Sequence, residues 1–383
     1  SKPDKDGDGS KSDKDGEDSS EKEKKSLSAK TYQFLVGGAG GKGGNAQTVK
    51  ITNTGVVQTF GKGSNAINAQ SVGGNGGSGG NTTLLYSASD IPVDEIKKFN
   101  DKDASNLIFG VAGTGGAGGY AGDVSVTNFG VILTSGDESV GVTVRSVGGN
   151  GGNSGNGGLN GGSLGIGGGA LTSIVRSVGD AFPKAQKTLS PLFDWAHAVS
   201  AGGNAGKVTV DNKSDSEKGF GFIITSGNNS GAIVAEAIGG NGGNGGNGAG
   251  NIALGGDGGN AGTGGAVEVN NYAYLKTSGQ NSAGIIANST GGNGGAGGSI
   301  GNEKTSGSSW GFAGRGGAGG SADLVKIKNL GLIETLGDNS SGIIARSQGG
   351  SGGKSGDSYS KSIGLGGGAF NTAITQHVMF LGA

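Results

Sequence analysis

The sequence predicts an all-β chain, a parallel β-helix (solenoid) with glycine-rich arms and a few short helical inserts. Three observations predict it. Five segments align without gaps over most of their length. Inside each, apolar β-branched residues alternate with polar ones, which is the period of a strand with one buried face. Between the segments runs glycine with a period of three, Gly-Gly-X.

The rungs fall at about 47–73, 123–149, 206–240, 266–292 and 323–350. Asn closes the first strand of each, at Asn53, Asn128, Asn212, Asn271 and Asn329. Thr-x-Gly closes the second, as in Thr59/Gly61 and Thr134/Gly136. Ser opens the third, at Ser64, Ser139, Ser230, Ser282 and Ser340. The third rung carries an insertion, Lys213 to Gly219, at its first turn. Each unit therefore reads as three short strands and two tight turns, with Asn and Gly placed where positive φ is tolerated.

Three strands cannot bury an apolar face alone. Stacked copies can, each covering the next at the ~4.8 Å strand spacing. Stacking would set the five Asn residues over one another as a structural ladder of side-chain hydrogen bonds. The competing reading makes each Asn a turn former and nothing more.

The arms leave each rung through tracts such as VGGNGGSGGN from Val72 and return through tracts such as GGAGGKGGNA from Gly37. A three-residue period matches the extended left-handed helix of the polyproline II type, which has no internal hydrogen bonds. Such a tract alone is a flexible coil. Side by side, polyglycine-II-like helices can approach closely and pair backbone to backbone. Packing into a slab at one edge of the solenoid is the expectation, and mobile surface loops are the alternative. X is usually Asn, Ser, Ala or Thr, which suits an outward position.

Composition agrees. Glycine supplies 93 of 383 residues, and only 32% of the chain is hydrophobic, too little for cores on the scale of ordinary globular domains. The four prolines and the lack of a continuous Gly-X-Y period exclude collagen. A net charge of −1 without a basic cluster on a folded segment argues against nucleic acid. Absence of cysteine excludes disulfide staples and thiolate zinc sites. No apolar run approaches a membrane-spanning length, so no membrane insertion by this stretch is expected. The chain reads as an internal piece of a longer protein, since it opens on Ser1 and stops inside a repeat at Ala383.

Two kinds of segment depart from the repeat. Residues 1–30 alternate Lys with Asp and Glu and read as a charged linker or tail. Within them Asp4, Asp6, Asp8 and Asp15 carry the spacing of a calcium loop, with Gly9 at the turn. Against calcium, Lys11 sits where an apolar residue normally docks such a loop and no flanking helix is readable, so a solvated charge run is the favoured reading. Inserts at about 91–99, 170–199 and 369–380 show apolar residues at helical spacing, as in Leu171, Ile174, Val175 and Val178. They are expected to dock on the solenoid flank or to offer a partner surface.

Catalytic signatures are weak. Gly76 to Gly80 and Gly349 to Gly353 match G-x-S-x-G, but chance matches abound in so glycine-rich a chain. The two histidines, His197 and His377, both fall in inserts. No enzyme and no cofactor is expected, calcium at the Asp run apart. Asp257 stands nearly alone, which excludes the repeat that binds calcium through a regular Asp.

The run Asn329-Leu330-Gly331 through Ser341-Gly342-Ile343-Ile344-Ala345-Arg346-Ser347 resembles the glycine-rich repeats in the passenger regions of large bacterial autotransporter-like surface proteins of the adhesin type. The resemblance covers most of residues 31–383. It implies a right-handed parallel β-helix, export across the outer membrane, and a role in adhesion or biofilm. The expectation is thus an extracellular structural or adhesive region of a surface or filament-forming protein. Its partners would be neighbouring repeats, copies of itself, or a host or matrix surface. The alternative is a binding module with a regular face for carbohydrate or ice. Ice would call for outward Thr rows, whereas the outward third-strand residues are mixed: Gln70, Arg145, Glu236, Asn288 and Arg346.

Overall fold

A computed structural model describes residues 32–83, 107–158, 164–170, 200–215, 217, 220–250, 252–301 and 308–365. The charged segment 1–30, with Asp4, Asp6, Asp8 and Asp15, lies outside the described residues. So do the inserts at 91–99 and 369–380, and all but Ala170 of the insert at 170–199.

The described elements are 24 strands, paired in parallel. Three five-stranded sheets form the solenoid. The first holds β2 (Val49–Asn53), β7 (Val124–Asn128), β12 (Val208–Asn212), β17 (Val267–Asn271) and β21 (Val325–Asn329). The second holds β3 (Val56–Thr59), β8 (Val131–Thr134), β13 (Ile223–Thr225), β18 (Leu275–Thr277) and β22 (Ile333–Thr335). The third holds β4 (Ile67–Val72), β9 (Val142–Val147), β14 (Ile233–Ile238), β19 (Ile285–Thr290) and β23 (Ile343–Gln348). Register runs without slip, so Asn53, Asn128, Asn212, Asn271 and Asn329 are successive partners. The architecture is the parallel β-helix that the repeat predicts.

The alternation decides what is inside. In β7, β12 and β17 every other residue is buried. Val124, Val208 and Val267 stack in one inward row, and Val142, Ile233 and Ile285 in another. A one-residue slip would turn every one of these outward. The stack is open at its described ends. Ile285 in the fourth rung is fully covered, whereas Ile343 in the fifth is 45% exposed.

The arms form a two-layer slab. Leaving arms pair in parallel with one another, as Gly73, Gly76 and Gly79 donate to the carbonyls of Val147, Asn150 and Asn153. They pair antiparallel with returning arms, as Gly74, Gly77 and Gly80 donate to Gly44, Gly41 and Gly38. Gly113, Gly116 and Gly119 of the next returning arm then donate to Gly80, Gly77 and Gly74. Each helix has three residues per turn, so two faces meet neighbours and only the third has room for a side chain. That is the physical cause of Gly-Gly-X.

Two further sheets close the outer end of the slab and went unread in the sequence. A six-stranded one contains β1 (Tyr32–Val36), β6 (Leu107–Val111), β11 (Leu164–Ile166), β16 (Ile252–Leu254), β20 (Ser308–Phe312) and β24 (Ser360–Leu365). A three-stranded one contains β5 (Thr82–Thr83), β10 (Gly157–Gly158) and β15 (Gly248–Ala249). Buried Ala112, Ile166, Ala253 and Ile300 lie in this region. The arms are therefore part of each coil, tied at both ends.

The turn chemistry meets expectation at the second turn, where Gly or Asn holds the positive φ in four rungs of five, and departs from it at the first. The ladder Asn residues are not at positive φ; the positive-φ residue of the second turn is Gly63, Glu138, Asn229, Asn281 or Asn339, just before the Ser. Glu138, at φ 57°, is the misfit, because a long side chain gains nothing there that offsets the left-handed strain. Glu138→Gly is expected to raise stability by about 1 kcal/mol, less the exposed ion pair with Lys62, as read by the denaturation midpoint.

Candidate functional site

The repeat builds ladders, and these carry most of the polar chemistry of the described residues. In the first, Asn53 Nδ2 donates to Asn128 Oδ1 at 2.8 Å, Asn128 to Asn212 at 2.9 Å, Asn212 to Asn271 at 2.8 Å and Asn271 to Asn329 at 2.7 Å. Asn128, Asn212 and Asn271 are fully buried. The second Nδ2 proton also serves the local turn, as in Asn128 to the Gly130 carbonyl at 3.2 Å and Asn271 to that of Ala273 at 3.0 Å. An amide side chain both donates and accepts, so one residue type can run the whole column.

The Thr and Ser of the second turn form another column. Thr134 Oγ1 donates to the Ser139 carbonyl at 2.9 Å, closing the turn. The Ser139 amide donates to Ser230 Oγ at 2.9 Å, and Ser230 Oγ donates back to the Gly136 carbonyl at 3.1 Å. The Gly of Thr-x-Gly is needed for close approach: a Cβ at Gly227 would lie 2.0 Å from the Gly136 carbonyl oxygen.

A third column was legible in the repeat and missed. Ser71, Ser146, Ser289 and Ser347 stand just before the leaving arms, with Ala237 in the third rung. Ser71 Oγ donates to the Gln47 carbonyl and accepts from the Gly122 amide, both at 2.9 Å. Ser146 repeats this with Gly122 and Gly206. These hydroxyls bolt the third strand to the returning arm where solenoid and slab meet.

The X residues do more than face outward. In a leaving arm the amide N–H of X has no glycine neighbour to meet. It donates to the side-chain oxygen of the X residue one coil away: Asn150 to Asn75 Oδ1, Asn241 to Asn150 Oδ1 and Asn293 to Asn241 Oδ1, each at 2.8 Å. The side-chain oxygens of Asn153, Asn244, Asn156 and Asn247 accept from the next coil in the same way farther out along the slab. Aspartate can fill the role, since Arg315 donates its amide to Asp257 Oδ1 at 2.8 Å.

Charged side chains lie outside and pair across rungs. Arg145 meets Glu236 at 2.9 Å, and Glu268 lies between Lys207 at 2.9 Å and Lys326 at 3.4 Å. Hydrogen bonds from Lys207 and then Lys326 hold the Glu268 carboxyl below its ordinary value. A depressed carboxyl stabilises the fold above its unfolded value and stops doing so as pH falls through the folded one. The deficit of Glu268→Gln should therefore be under about 1 kcal/mol near neutrality and should shrink below about pH 4, as followed by denaturation at several pH values. On the second sheet Phe220 stacks on Phe222 at 5.6 Å, Phe222 meets the edge of Tyr274 at 6.1 Å, and Tyr274 donates to Glu334.

Among the described residues no group of three or more His, Cys, Asp or Glu is placed to hold a metal, and no helix is long and apolar enough to cross a membrane. Comparison with family models, with curated proteins and with solved structures gives no match.

Proposed function

We propose that the chain is an extracellular structural and adhesive repeat region of a bacterial surface or filament-forming protein, and that it is not catalytic. The observation that carries this reading is the periodicity of the polar network. The same Asn, Ser and Gly-Gly-X bonds recur at every coil and point along the stack, toward the next coil. Such a lattice transmits load and lengthens by repetition, whereas an active site needs a local, non-repeating cluster. Its resemblance to autotransporter-like passenger repeats supports the surface location. Without cysteine, its rigidity comes from hydrogen-bonded columns in place of disulfides.

The test is cryo-electron imaging of the purified chain together with antibody labelling of intact cells that express the protein. Rods with a strand-spacing repeat along the axis and surface labelling are expected. Compact particles, or labelling only after the cells are opened, would overturn the reading.

A further inference from the structure

A groove follows the inner corner where the third sheet turns out into the leaving arms. It crosses all five rungs, with a volume of about 480 Å³. One wall is the outward row that ends the third strands, Val72, Val147, Ile238, Thr290 and Gln348. The other is the first X row, Asn75, Asn150, Asn241 and Asn293, ending in Ser351. Glycine backbone makes the floor, and no charged residue lines it.

We propose that this groove binds an extended, neutral, β-linked polysaccharide lying along the solenoid axis. Three features of the groove lead there. It carries no charge, which suits neither a nucleic acid nor an acidic glycan. It runs across the strands, whose backbone groups are already spent on neighbouring rungs, so a peptide cannot dock by adding a strand. Its walls differ: one is apolar over the first three rungs, the other a row of amides over the first four at the ~4.8 Å rung spacing. A β-linked pyranose chain offers the complement, with C–H faces on one side, hydroxyl acceptors along an edge, and an advance of about one ring per rung.

The amide wall is also preorganised. Each Oδ1 is held by the next coil's N–H, at 2.8 Å for Asn75, Asn150 and Asn241 and 2.9 Å for Asn293. All four residues are exposed, and their Nδ2 groups have no acceptor among the described residues. Donors fixed before binding lose little entropy when a ligand arrives.

The experiment is affinity electrophoresis of the full chain in gels containing mixed-linkage β-glucan, glucomannan, α-linked dextran or anionic alginate. Retardation by at least one of the first two and by neither of the others is expected. The double variant Asn150→Asp/Asn241→Asp keeps the oxygens that cap the next coil, as Asp257 does for Arg315, but removes two donors. It should melt as the native chain does and bind at least tenfold more weakly. Ile238→Lys, at a half-buried outward position, should weaken retention similarly without touching the slab. Phe222→Ser, on the second sheet, should leave retention unchanged. Equal migration of the native chain in every gel overturns the proposal. So does equal retardation by dextran, undiminished binding by both groove variants, or loss of binding in Phe222→Ser alone. The proposal gives a ligand to the adhesive reading above and rests on it for its setting. Rods that ignore every glycan would sink the groove alone, and compact particles that bind glucan would sink the rod alone.

Discussion

Replacing Asn212 by Ala is expected to cost about 2–6 kcal/mol, among the largest effects of any side-chain truncation in the stack. The residue is fully buried, accepts from Asn128 and donates to Asn271. Truncation leaves one donor and one acceptor unpaired in the interior, at about 1–3 kcal/mol each. Water has no route to the column between covered rungs. Asn53, at the half-buried open end, donates to Asn128 but receives no rung-to-rung bond among the described residues, so Asn53→Ala should cost about half as much or less. Asn212→Asp is expected to fail as badly as Ala. A carboxylate accepts from Asn128 but has no proton for Asn271 Oδ1, and it buries a charge. The contrast with the X rows, where Asp suffices, follows from direction: X side chains only accept. Urea denaturation of the three variants measures this, and an Asn212→Ala midpoint equal to the native one would refute the load assigned to the ladder.

Gly152→Ala is the second large effect. An added Cβ would lie 2.1 Å from the Gly77 carbonyl oxygen. Both atoms belong to backbone held on several sides, so no side chain can swing away. The arms must separate, and the Gly152 to Gly116 bond lengthens with them. A loss of about 3 kcal/mol or more is expected, the upper part of the range for forced overpacking. Gly41 has the same sequence context, but nothing lies within 4 Å of its Cβ position, since no coil precedes it among the described residues. Gly41→Ala should therefore be neutral, or stabilising by up to about 1 kcal/mol through the unfolded chain. Equal tolerance at the two positions would show the slab to be loosely packed.

These two predictions separate two kinds of information in the repeat. Asn212 is specified by what its side chain does, and Gly152 by what a side chain would prevent. Both leave the same mark on a sequence, a recurring residue; the sequence predicts a ladder at the Asn, close backbone approach at the arm glycines, and positive φ for Asn and Gly at the turns. The structure places positive φ at the second turn, as at Glu138, Asn229 and Asn281, and not at the ladder Asn.

The sequence by itself determined the rung. Alternation in VKITN or VEVNN states which residues face inward, and the spacing from Asn to Thr-x-Gly to Ser states where three strands break. The Gly-Gly-X period determined the local conformation of the arms. These are properties of neighbours along the chain, readable because strand and extended helix each impose a short period. Tertiary structure decided what lies between coils 52 to 91 residues apart. It paired YQFLV with LIFGV into an outer sheet, and aimed the X asparagines at the next coil's amides. It also turned Ser71 into a bolt between strand and arm. Those contacts depend on register across inserts of different length, and no short period in the chain encodes that register.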